Sequence, residues 1–76
     1  MNLLLANKKR KYKIKTINVK GKVLHRLEAL GIIKGTTLEV LEKNNFGLIL
    51  IKIRGTRIGL DENIALKIYI EEDYRN

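Results

Sequence analysis

One imidazole, eight carboxylates and sixteen cations carry most of the chemistry available to this 76-residue chain. His25 sits between Leu24 and Arg26, and Glu28 follows three positions later. On a helix, that spacing puts His25 and Glu28 on one face. Two ligands make a weak site, and a transition metal wants three or four converging donors. His25 therefore reads as a surface or boundary residue. Asp61-Glu62 and Glu71-Glu72-Asp73 are carboxylate clusters that a hard ion could use. The start of a helical turn explains the first and a solvated tail explains the second. A paired-carboxylate hydrolase would need a cleft that a chain this small does not supply.

What is missing is equally informative. Cysteine is absent, which excludes a disulfide scaffold, a zinc ribbon and thiol catalysis. Serine is absent too, so a Ser–His–Asp triad cannot be assembled. Gly31 and Gly35 are wrongly spaced for a phosphate-cradling loop, and Gly35-Thr36 lacks its Lys. They read instead as a helix stop and a turn. The residues point to no catalytic group, no resident metal and no cofactor, and so to a binding function.

The cations are unevenly spread. Residues 1–27 hold nine Lys/Arg and no acid, whereas 28–76 hold seven Lys/Arg against eight Asp/Glu. The net charge of +8 therefore arises in the first third. Lys8, Lys9, Arg10 and Lys11 are consecutive. Such a run suits an anionic partner: nucleic acid, an acidic protein face or an anionic membrane surface. A solvated N-terminal segment over residues 1–10 is the alternative.

These side chains need elements to position them. Tyr12 and Ile14 alternate with lysines, the period of a half-buried strand. Val23, Leu24, Leu27 and Leu30 fall on one helical face. Asn18 is a candidate cap for that helix, or the stretch before Lys22 is loop. Gly31 stands where a helix ends. Thr36 to Glu42 reads as a strand with Leu38 and Val40 on one side. Asn44-Asn45-Phe46-Gly47 is a turn. Leu48 to Ile53 is an almost wholly apolar strand. Arg54-Gly55 is a tight turn into Thr56–Leu60. Asp61-Glu62-Asn63 starts a helical turn, and Lys67–Ile70 is a last strand.

The expected fold is mainly β: about five short strands with one α-helix inserted after the first, closed into a small barrel. One domain covers residues 1–76. The apolar run Leu3-Leu4-Leu5-Ala6 is far too short to span a bilayer. Its basic stretch follows rather than precedes it, unlike a signal peptide. A cytoplasmic location follows as the expectation. For the barrel interior, Ile14, Leu38, Val40, Leu48, Leu50, Ile58 and Ile68 are the candidates, with some of Leu41, Ile49, Ile51 and Ile53 pointing elsewhere.

The stretch Arg26-Leu27-Glu28-Ala29-Leu30-Gly31-Ile32-Ile33-Lys34-Gly35 resembles a segment of the FeoA family, small accessory proteins of bacterial ferrous iron transport. Thr37-Leu38-Glu39-Val40, the Phe46-Gly47 turn, Gly55-Thr56-Arg57-Ile58-Gly59-Leu60, Ile64-Ala65 and Ile68 are similar to its later strands. The likeness covers roughly residues 12–70. The family often has Pro where Lys34 stands. A similar pattern marks the C-terminal SH3-like domain of iron- and manganese-dependent repressors, whose other domains have no counterpart in this chain.

The resemblance implies an SH3-like barrel that is not an enzyme. It implies a partner, the membrane ferrous iron transporter FeoB, met on its cytoplasmic side. The expected contact surface is an apolar groove between helix and barrel, using Leu24, Leu27, Leu30 and Ile32 and rimmed by Arg26 and Arg57. A second copy of the chain is an alternative occupant. A basic barrel binding nucleic acid and a metal-responsive regulator domain are the competing functions. Against nucleic acid, aromatics are only 5%, with Tyr12, Phe46, Tyr69 and Tyr74 too dispersed for a stacking platform.

Overall fold

The computed structural model describes residues 1–74. A 3₁₀ turn at Leu3–Leu5 is followed by β1 (Lys11–Ile17), α1 (Gly21–Ala29), β2 (Thr37–Lys43), β3 (Ile49–Ile53), β4 (Thr56–Leu60), α2 (Glu62–Ala65) and β5 (Ile68–Glu72). The strands form one antiparallel sheet in the order β4-β3-β2-β1-β5. It curls into a small SH3-like barrel with one helix after the first strand, the expected fold class.

The inward face is settled by charge. On β3, Ile51 lies opposite Val40 of β2 and Ile58 of β4. Lys52 lies opposite Glu39 and Arg57. Burying Lys52 and Arg57 unpaired would be far costlier than exposing a leucine. Ile49, Ile51 and Ile53 are therefore inside, Leu48 is exposed and Leu50 only half-buried. This reverses the expected assignment of β3, in which Leu48 and Leu50 filled the barrel. Ile14, Leu38, Val40, Ile58 and Ile68 are in the core as anticipated.

Two β-bulges break the alternation of the strands. In β1 the register shifts between Ile14 and Thr16, so Ile17, opposite Ile68, faces the same side as Ile14. In β2 it shifts between Val40 and Glu42, so Lys43 comes opposite the inward Ile49. A bulged residue moves everything after it to the other face. Lys43 is thereby aimed at the N-terminal segment. Its ammonium donates to the carbonyl oxygens of Leu4 at 2.6 Å and Ala6 at 3.0 Å.

That segment is part of the barrel wall. Leu3 and Ala6 are buried in the core. The Asn2 side chain accepts from the Leu4 amide, Asn2 bridges to Tyr69, and the Ile70 amide donates to the Met1 carbonyl at 2.7 Å. Tyr12 is fully buried, and its hydroxyl accepts from the Asn7 amide at 2.8 Å. A buried phenol needs such a partner.

Helix α1 begins weakly and ends firmly. Lys20 occupies the N-cap with no side-chain hydrogen bond. Asn18 does not cap the helix; its amide donates to the Lys67 carbonyl. At the other end Gly31 has φ +90°. The Ile32 amide reaches the Leu27 carbonyl and the Gly31 amide reaches Glu28. This is the Schellman pattern, and Leu27 and Ile32 supply its usual apolar pair in the core. The β3–β4 hairpin turns on Arg54 (φ 51°) and Gly55 (φ 79°), a two-residue turn of primed type.

Candidate interaction surface

Helix α1 lies beside the end of β1, and the seam between them is open. Ile17 reaches it because of the β1 bulge. Leu24 reaches it from the flank of α1, one turn before the buried Leu27. Ile33 reaches it from the loop after the Gly31 stop. These three half-buried side chains, with Lys15, Thr16, Glu28 and Lys34, line a groove of about 280 Å³. A second cavity of about 330 Å³ shares Lys15, Thr16 and Lys34 and adds Lys13, Ile14, Gly35 and Glu71. The two form one trough, apolar at the helix end and lysine-rimmed at the other.

The charges of the trough are lightly tied. Lys15 lies 3.9 Å from Glu71, both about half exposed. Such a pair contributes little. Lys13 and Lys34 have no ion-pair partner among the described residues.

The residues expected to meet a partner separate into four places. Leu24 lines the trough. Leu27 and Ile32 are buried in the core, so neither is open to a partner. Arg26 and Leu30 are exposed on α1 outside the trough's lining. Arg57 lies across from Lys52 on the outer face of β4, also outside that lining. The rim is therefore Lys15, Lys34 and Glu28 rather than Arg26 and Arg57. Lys34 carried a signal only in its place, in the short turn between Gly31 and Gly35. Lys15 and Ile17 carried none, because the bulge that aims them leaves no mark on the residue pattern.

The basic run is partly neutralised. Lys8 lies 3.6 Å from Glu42 and Arg10 lies 3.3 Å from Glu72. The Tyr74 hydroxyl also donates to Glu72. That hydrogen bond, with the carboxylate's charge, raises the phenol above its ordinary range. His25 is exposed. Among the described residues no three His, Asp or Glu side chains gather to hold a metal ion. Among them, too, no helix is long and apolar enough to cross a membrane.

Comparison with known proteins fits this geometry. The family model described as FeoA domain matches residues 1–72. The solution structure of iron(II) transport protein A from Clostridium thermocellum superposes with a TM-score of 0.88 at 26% identity, over 95% of this chain and 45% of that one. The present chain thus spans less than half the length of that relative. A FeoA-like protein from Clostridium acetobutylicum is 25% identical with a TM-score of 0.82, covering 100% of this chain and 90% of that one. The manganese-activated repressor ScaR is 28% identical with a TM-score of 0.85, over 96% of this chain and 35% of the repressor. A search of curated proteins finds no match.

Proposed function

The chain belongs to the FeoA domain family, and from that premise we propose that it is a non-enzymatic, cytosolic accessory domain of ferrous iron uptake. It docks on the cytoplasmic side of a FeoB-type membrane transporter and modulates it. The observation that carries this reading is the family match over residues 1–72, which takes in every strand and both helices. The surface around α1 supports it. Leu24 is half-buried in an open trough, Leu30 is 46% exposed and Arg26 stands beside it. Half-exposed aliphatics next to a cation are suited to the buried centre and polar rim of a protein interface.

The test is capture of the transporter by the purified protein, using both its cytoplasmic GTP-hydrolysing portion and the full membrane protein. Leu30→Asp and Arg26→Glu run alongside, since both positions are exposed and both variants should fold. Wild type is expected to bind, and each variant to bind at least about tenfold more weakly. Absence of binding at moderate salt, together with tight and steeply salt-dependent binding of DNA or RNA, would move the function to nucleic acid.

A further inference from the structure

We propose that the trough between α1 and β1 binds an extended segment of a partner protein in which an aliphatic side chain neighbours carboxylates. This deepens the transporter reading and rests on it only for which protein carries the segment. The chemistry is read from the two cavities. The first offers Ile17, Leu24 and Ile33 with room for an aliphatic side chain, and Glu28 closes its helix side. The second offers Lys13, Lys15 and Lys34, with Glu71 already turned toward Lys15. Apolar and basic ends therefore lie in sequence along one path, which sets an aliphatic side chain beside carboxylates in the bound chain.

Two further observations select a peptide over other anions. A Cβ added at Gly35 would meet nothing within 4 Å, so a backbone can pass close above that turn. No aromatic side chain lines either cavity, so unstacked bases find no platform. The chain's net charge of +8 raises the local concentration of any acidic segment and speeds its encounter. Glu28 repels carboxylates at the aliphatic end, which leaves the lysine end as the place for the acidic residues and supplies discrimination as well as attraction.

The experiment uses three labelled ten-residue peptides, alternating Glu with Leu, Glu with Ser, and Lys with Leu. Binding to the full chain is followed by fluorescence anisotropy at about 0.05 and 0.3 M salt. The Glu/Leu peptide is expected to bind best, and the Lys/Leu peptide not at all. Lys34→Glu is expected to weaken the Glu/Leu peptide about tenfold, and Leu24→Ser comparably. Lys9→Glu makes the same change in net charge away from the trough and is expected to weaken it less than about threefold. Circular dichroism checks each fold; should Leu24→Ser not fold, the Lys34 and Lys9 pair still decides. Equal binding of Lys/Leu and Glu/Leu peptides, or equal losses at Lys9 and Lys34, overturns the proposal. Transporter capture separates the two readings. Capture unchanged by Lys34→Glu and Leu24→Ser sinks the trough, not the transporter; peptide binding without capture sinks the transporter, not the trough.

Discussion

Lys43 holds more of this fold than its residue type suggests. Its ammonium caps two carbonyls of the N-terminal 3₁₀ turn, Leu4 and Ala6. Those oxygens would otherwise face a half-buried seam with no donor. Charge-assisted hydrogen bonds are among the stronger kind, and a buried acceptor left alone carries its own desolvation penalty. Lys43→Met keeps the length and removes the charge. It is expected to lower unfolding free energy by about 1–3 kcal/mol in urea titration. Amide exchange should quicken first at Leu5 and Ala6, whose amides donate to Asn2 and Leu3 carbonyls. A change under about 0.5 kcal/mol would show that water replaces the ammonium without penalty.

At the scale of elements, what residue pattern reveals and what it hides have separate causes. The helix end was legible, since Leu30-Gly31 is a stop in both spacing and conformation. The capping turn of α2 was legible as well; the Asp61 side chain accepts from the Ile64 amide. The orientation of β3 was not, because Leu48 to Ile51 has no alternation to follow. Lys52 was the one residue that could have set it, by counting back from a charge that must face water. The two bulges left no sequence trace. They decide where Ile17 and Lys43 point, and the first thereby shapes the β1 side of the candidate site. The orientation of β3 has a direct check. Ile51→Ala is expected to cost about 2–5 kcal/mol and Leu50→Ala less than half as much, by urea unfolding. The reverse order would place β3 the other way round. Helix α1 invites the opposite experiment. Lys20 sits at the N-cap with extended backbone, φ −128° and ψ 168°, and no capping bond. Aspartate suits that geometry and the positive end of the helix. Lys20→Asp is expected to stabilise by about 0.5–2 kcal/mol, most of it persisting at about 0.3 M salt. A gain that vanished with salt would be charge relief rather than a cap.

The whole molecule sets attraction in a few pairs against repulsion among many. Three ion pairs among the described residues, Lys8–Glu42, Arg10–Glu72 and Lys15–Glu71, span 3.3–3.9 Å and are all substantially exposed. Each contributes about 0–1 kcal/mol at most. Against them stand eight excess positive charges confined within a radius of gyration of 11.1 Å. Two unit charges about 20 Å apart in water repel by about 0.2 kcal/mol, and eight make roughly thirty such pairs. Unfolding spreads the charges and relieves part of that sum. Salt screens the long-range repulsion strongly, because the Debye length of about 10 Å at about 0.1 M is about half that separation. The contacts at short range are screened less. Stability should therefore rise with sodium chloride between about 0.02 and 0.3 M, by about 1–2 kcal/mol in the urea extrapolation. Lys9→Glu, on an exposed loop, should stabilise at low salt and have almost no effect at high salt. A fall in stability with salt would mean that the three pairs outweigh the repulsion.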